Sequence, residues 1–299
     1  MEEEEKFLKI LNIVLELSLA NSKHHRKARK HEMFENFSIF IHFLTTFRDV
    51  SAYKIPTIME GTLAVPGQFP WIVFIETPTD ISCVGTIVNS KHVLTAAQCV
   101  LDEEGKLWNP FWFKIIAGAV DLYNIYPRVV FRKLVAIYVN QNFNLVTLEN
   151  DLAILRVDKE FPDPHNTIEV AEIYPMEIAR NALCQFAGWS PYTLNKQTVQ
   201  QFFYGSRIQD WSVCQTTRNS ENSICAKSVR KSNSCQGNKG AGLFCDGKLI
   251  GVFSYGQSCN STAVPSVYTD VRKFQPWMQE QFIRTDIPAA GSSPLLKNC

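Results

Sequence analysis

The chain lacks any Cys-x-x-Cys pair and any Cys/His cluster at zinc-binding spacing, although it carries nine cysteines in 299 residues. Metal and dithiol redox sites are therefore poor readings of its sulfur, and disulfides are the better one. It also lacks the run of about eighteen uninterrupted apolar residues that a membrane-spanning helix needs. The apolar stretch at 7–20 is broken by Lys9 and Glu16, and the one at 37–47 is short and mixed with polar residues. No excess of charge of one sign exists either: 30 basic against 29 acidic residues leave a net charge of +1. No global field then draws the protein to nucleic acid or an anionic membrane, so partner choice rests on local surface. What remains is 45% hydrophobic and 20% charged, ordinary for a globular protein with a packed core. Disulfides persist in oxidising compartments, which implies an extracellular, secreted protein. Nothing in the sequence calls for a cofactor or a metal.

An export signal should open on basic residues, but the first six residues are Met-Glu-Glu-Glu-Glu-Lys. A second candidate begins at Met33, where residues 37–44 supply an apolar centre and Val50-Ser-Ala52 supplies small residues resembling a cleavage site. On that reading residues 1–32, with the basic run from His24 to His31, are an upstream extension. The run reads as a solvated tail, with nucleic-acid or membrane binding as its alternative. Residues 1–57 are thus expected to form an N-terminal extension containing a candidate signal segment, and Asn36-Phe-Ser38 is a glycosylation sequon if that part is retained.

Beyond residue 57, short segments rich in Val, Ile and Thr recur at 71–76, 86–88, 92–95, 112–120 and 129–139, separated by Gly, Pro and Asn. Such spacing, with few helical periods, favours an all-β barrel or sandwich. His92 falls inside one of these segments and reads as a strand residue. Phe274, Trp277, Met278 and Phe282 have helical spacing near the C-terminus. From Thr285 onward Pro288, Gly291, Ser292, Ser293 and Pro294 predict a disordered tail over 285–299.

Residues 235–245 read Cys-Gln-Gly-Asn-Lys-Gly-Ala-Gly-Leu-Phe-Cys. They resemble the nucleophile loop of chymotrypsin-like serine proteases, C-x-G-D-S-G-G-P-x-x-C, with Lys239 at the serine. Leu94-Thr-Ala-Ala-Gln98-Cys99 resembles the family's histidine motif with Gln98 at the histidine, whereas Asp151 in Asn150-Asp151-Leu-Ala-Ile-Leu155 keeps the aspartate. Ile58-Met-Glu-Gly61, Phe69-Pro70-Trp71 and Cys184-Gln-Phe-Ala-Gly-Trp189-Ser190 resemble further family landmarks. The resemblance covers 58–284 and implies two antiparallel six-stranded β-barrels facing a cleft, with a C-terminal helix. It also implies the disulfides Cys83–Cys99, Cys184–Cys245, Cys214–Cys225 and Cys235–Cys259, leaving Cys299 over.

Activation in this family cleaves just before the isoleucine, and the amino group so created folds inward and pairs with the aspartate preceding the serine. Here Thr57 precedes Ile58, and Asn238 replaces that aspartate. A buried ammonium without its carboxylate costs on the order of several kcal/mol. The resemblance further places Asn233 at the floor of the specificity pocket, with Ser254, Tyr255, Gly256 and Ser266 as walls, and Gly237 with Asn238 in the oxyanion loop. Uncharged Asn233 does not support selection of basic side chains. The sequon Asn260-Ser-Thr262 lies in a pocket-bounding loop. Asp151 needs hydrogen-bond partners where it is buried; either Gln98 and Lys239 both reach it, or Lys239 turns to solvent. With the base and nucleophile replaced, turnover falls by about 10^6. The resemblance to non-catalytic serine protease homologues implies a secreted regulatory cofactor that docks a protease or its zymogen. An atypical endopeptidase using Lys239 and a receptor for microbial surfaces or glycans are the alternatives.

Overall fold

Ile72-Val-Phe-Ile-Glu76 buries Ile72, Val73 and Ile75 and exposes Glu76, and the Val/Ile-rich segments Cys83–Asn89 and His92–Thr95 that follow are buried on both faces over most of their length, as strands enclosed by neighbouring structure are. The computed structural model describes residues 62–79, 82–123, 128–162, 167–191, 199–214, 221–229, 238–256 and 265–292. Strands β2 (Ile72–Glu76), β3 (Cys83–Asn89), β4 (His92–Thr95), β5 (Lys114–Ala117), β6 (Val130–Val139) and β7 (Ala153–Val157) close a first antiparallel barrel in the order β2-β3-β4-β7-β6-β5. Its interior is filled by Ile75, Val84, Ile87, Leu94, Ile115, Ile137 and Ile154, all less than 1% exposed.

The second barrel consists of β8 (Leu183–Pro191), β9 (Val199–Gln209), β10 (Ser223–Ser228), β11 (Gly242–Cys245), β12 (Lys248–Gly256) and β13 (Ser266–Asp270). The ring runs β8-β9-β10-β13-β12-β11 and closes where Leu243 pairs with Phe186. A two-residue strand β1 (Thr62–Leu63) adds to the outside of this ring against Phe203 and Phe202, so the chain enters along the second barrel before building the first. Two aromatic contacts join the barrels: Phe74 meets Trp189 edge-on at 5.7 Å and Trp71 meets Phe244 at 5.3 Å. Such pairs contribute about 0.5–1.5 kcal/mol each beyond their buried area. The expected architecture of two six-stranded barrels and a closing helix is the one found, with helix α1 (Trp211–Cys214) a single turn and helix α2 (Gln275–Phe282) at the end.

Cys83–Cys99, Cys184–Cys245 and Cys214–Cys225 are bonded as the resemblance implied. The fourth expected bridge, Cys235–Cys259, lies outside the described residues, as do Asn233, Gly237, Asn260 and Cys299.

The segment after α2 departs from the expectation of disorder as far as Ser292. Tyr138 Oη donates to the Asp286 carbonyl at 2.8 Å, and Arg156 Nη1 donates to that of Arg284 at 2.7 Å. Gly291 N and Leu107 N then exchange bonds with Leu107 O and Ser292 O at 2.8 and 2.9 Å. Turn-forming residues signalled the lack of regular structure, but they carry no sign of an irregular segment strapped down by side chains from a distant barrel.

His92 explains how α2 is seated. It is buried at 4% exposure on β4, opposite Arg156 of β7, and its ring stacks on Phe282 at 5.2 Å. Nδ1 donates to Asn89 Oδ1 at 2.8 Å, while Nε2 has no partner among the described residues. Burial, then the nearby cations of Arg156 and Lys91, push the imidazole down to about 4. The folded protein holds it neutral, whereas the unfolded chain takes up a proton near the ordinary value of about 6.5. This contribution to stability is therefore complete above pH 6.5 and is lost as the pH falls from there towards 4. Urea unfolding from pH 7 to 4 should show a falling midpoint, and His92→Phe should flatten that fall; an equal fall in both proteins would contradict the assignment.

Candidate functional site

The barrel seam is assembled from three short pieces of backbone. Strand β4 ends at Thr95, and the chain turns through a 3-10 turn, Ala97–Cys99, which the Cys83–Cys99 bridge fastens to β3. This places Gln98 at the seam. Asp151 stands two residues before β7, after Leu148 and Asn150 have taken left-handed backbone conformations that bend the loop inward. Asn150 is anchored on both sides, donating to the Asn142 carbonyl and accepting from Asn222. Ser254 comes from β12 of the other barrel.

These three side chains converge. Asp151 is fully buried, with Oδ1 accepting from the Gln98 backbone N–H at 3.0 Å and Oδ2 accepting from Ser254 Oγ at 2.6 Å. Gln98 Nε2 donates to Asp151 Oδ2 at 2.5 Å and also to the Ser254 carbonyl at 2.9 Å. One amide group thus uses both of its hydrogens to tie a carboxylate of the first barrel to a strand of the second. Burial raises the Asp151 carboxyl above the usual carboxylate range, opposed by the bonds from Ser254, Gln98 and the Ala97 backbone. Chemically the amide can orient and neutralise the carboxylate. It cannot take a proton from a nucleophile, because a neutral amide has no basic nitrogen.

Lys239 does not join this cluster. Among the described residues no ion pair links it to Asp151, so of the two arrangements left open the one in which the ammonium completes the set is not the one found. The physical reason is enclosure: Gln98 and Ser254 occupy the carboxylate oxygens, and Asp151 has no exposed surface left for an ammonium to approach. The half-buried Lys239 instead lines a cleft of about 670 Å³ together with Gln98, Thr77, Glu103, Glu104 and Trp108. Its backbone is fixed, since its carbonyl accepts from Val84 N at 2.9 Å. The far rim is a tight hairpin in which Leu101 bridges Leu107 and Asp102 Oδ1 accepts from the N–H groups of Glu104 and Lys106.

The residues expected as pocket walls lie along one strand pair. Tyr255 and Gly256 end β12, and Gly256 is registered against Ser266 at the start of β13. Ser254 differs: its hydroxyl is turned to Asp151, a role without a local signal, since one serine in a strand looks like any other. Asn238 is buried, with its side chain against the Cα of Gly188; a methyl group there would come within 2.1 Å of Asn238 Oδ1. Among the described residues no three His, Cys, Asp or Glu side chains gather as a metal site, and no helix is long and apolar enough to cross a membrane.

A family model described as Trypsin matches residues 58–278. The chain is 27% identical over 228 residues to trypsin alpha-4 of Lucilia cuprina, covering 74% of this chain and 86% of that one. It is 26% identical over 254 residues to transmembrane protease serine 9 of Rattus norvegicus, covering 77% of this chain but 22% of that much longer protein. Among solved structures it is similar to neuropsin, a serine protease of mouse brain, with a TM-score of 0.64 at 22% identity over 75% of this chain and all of the other. The barrels, the three bridges and the buried aspartate at their seam agree with a match that spans most of the chain, and the protein belongs to the trypsin family of serine-protease folds.

Proposed function

We propose that this protein is a catalytically silent member of its family, exported from the cell, that works by binding: it docks a protease or a protease zymogen and modulates proteolysis. The observation that carries the reading is the double hydrogen bond from Gln98 Nε2 to Asp151 and to the Ser254 carbonyl. Acyl transfer by a serine requires a base that accepts the nucleophile's proton and is held by a carboxylate. Gln98 takes the carboxylate and offers no base, and position 239 supplies an amine in place of a hydroxyl. Asn238 supports the same reading, because an amide cannot neutralise an inserted ammonium as a carboxylate does. Export is supported by the three disulfides, which need an oxidising compartment. The cleft remains a shaped surface about 670 Å³ in volume, lined by groups of both charge signs, and so is suited to binding.

The test of the binding role uses the full chain immobilised against a purified panel of trypsin-like proteases, each presented as zymogen and as active enzyme blocked at its serine. Saturable retention of at least one of them with Kd below about 10 μM is expected. Absence of any retention at that concentration would contradict the docking role.

A further inference from the structure

Backbone from both barrels holds Lys239 in the cleft. Its carbonyl accepts from Val84 N of β3 at 2.9 Å, and the next residue, Gly240, donates its N–H to the Phe253 carbonyl of β12 at 2.9 Å. Gly240 makes this turn at φ of +83°. The base of the lysine is therefore fixed, and the residue is half-buried among those that line the cleft.

Its ammonium is uncommitted among the described residues, because the groups around it are already paired. Gln98 and Ser254 enclose the Asp151 carboxylate. The other lysine of the lining, Lys106, pairs with Glu104 at the far rim, and Asp102 Oδ1 is taken by backbone N–H groups of the same hairpin. The Gln98 amide spends both hydrogens on Asp151 and the Ser254 carbonyl, so it adds no donor of its own. A lysine partly withdrawn from water loses hydration that an arriving acceptor restores. The space for one exists, since a cleft of about 670 Å³ is of the size that holds ligands.

The surroundings define the acceptor. A single ammonium is a point charge without the fork that matches phosphate, which suits one carboxylate. Glu103 and Glu104 stand on the far rim and repel an extended polyanion such as nucleic acid or a sulfated glycan. Between the two lie Trp108, stacked on Trp112 at 5.6 Å, Leu101 and the Cys83–Cys99 bridge, an apolar wall for a peptide chain.

We propose that Lys239 is a receptor for one acidic side chain, Asp or Glu, presented by a loop of the partner protein that enters the cleft. The inference rests on the binding role proposed above and names the chemistry that the partner brings. Residues flanking that acid are uncharged or basic where they face Glu103 and Glu104.

Selection of a random peptide library, displayed on phage, against the immobilised full chain tests this, with recovered sequences resynthesised with both ends blocked. The binders are expected to share Asp or Glu at one position, and its replacement by Asn or Gln should weaken them about tenfold. On Lys239→Met the acidic and amide peptides should bind equally, whereas Lys239→Arg should keep the preference for the acid. The acid–amide comparison on the parent stands by itself if Lys239→Met fails to fold. Binders that need a free C-terminus instead, a preference for the acid that survives Lys239→Met, or no capture of any peptide would overturn the receptor. The protease panel separates this outcome from the docking role. Undiminished retention of a protease by Lys239→Met would leave docking in place and remove the lysine contact, and acid-dependent peptide capture without protease retention would support the receptor while removing the docking role.

Discussion

Gly240→Ala is expected to destabilise the protein by about 4 kcal/mol or more, in the range reserved for substitutions that break a specific structural device. Gly240 has φ of +83°, where an L side chain is strained. The larger problem is space. A Cβ there would lie 2.1 Å from Thr95 Oγ1 and 2.3 Å from the Val84 carbonyl oxygen, and those two atoms are already joined by a 2.8 Å hydrogen bond. The backbone oxygen belongs to β3 in the middle of the first barrel and cannot move aside as the end of a flexible side chain would. The loop carrying Lys239 must then lift, breaking the bond from Val84 N to the Lys239 carbonyl that fixes one wall of the cleft. Chemical denaturation of the purified variant checks the size of the effect; a loss below about 1 kcal/mol would contradict this close approach.

Removal of Cys184–Cys245 by a paired alanine substitution should be the second large loss. The bridge spans 61 residues of sequence and ties β8 to β11, the seam at which the second barrel closes. Chain-entropy reasoning assigns a loop of that size about 4 kcal/mol, against about 3 kcal/mol for the shorter span of Cys83–Cys99. Cys184 is fully buried and Cys245 nearly so, so truncation also removes packed sulfur from the core. Denaturant unfolding of both paired variants should place the Cys184/Cys245 pair lower. The Cys83/Cys99 pair should instead loosen the turn that presents Gln98, since Cys99 is its immediate neighbour. An equal or smaller loss for the Cys184/Cys245 pair would mean that barrel closure does not depend on its bridge.

An all-β barrel or sandwich was readable from local, repeated signals, short Val/Ile-rich segments with turn residues between them, and the resemblance carried by the motifs around Cys99, Asp151 and Cys245 selected two barrels. The pairing of the three bridges came from the family resemblance, because cysteine spacing alone does not assign it. The site was legible only in part. That Gln98 would meet Asp151 followed from the resemblance, but its second bond to the Ser254 carbonyl depends on the docking of two barrels, which no local pattern encodes. Lys239 remained open because a lysine at a cleft can pair or extend; the answer came from whether Gln98 and Ser254 had filled the carboxylate's surroundings. The ordering of 285–292 was missed since its hold comes from Tyr138, Arg156 and Leu107, far away in sequence. His92 shows the reverse case: reading it as a strand residue was right, yet its burial under Phe282 and its unpartnered Nε2 needed the position of α2.

On the proposed reading, a protease scaffold is kept around a centre that does not support proton transfer. Losing the base or the nucleophile of such a centre lowers turnover by about 10^6, and losing both adds little, because the groups act as a unit. The scaffold does not depend on that chemistry: the Gln98 amide satisfies the buried carboxylate that an imidazole would otherwise hold. Under the proposed function, a barrel seam preserved in this way presents the cleft and its rim for contact with another protein.

The most direct measurement is turnover by the purified protein on a broad peptide library, with parallel exposure to a serine-directed phosphonate, beside a Gln98→His, Lys239→Ser variant. The parent is expected to give neither cleavage nor labelling above background, and labelling of the variant would report a cleft whose shape is retained. Cleavage by the parent that survives repurification and disappears in Lys239→Ala would contradict the central claim and make Lys239 a catalytic residue.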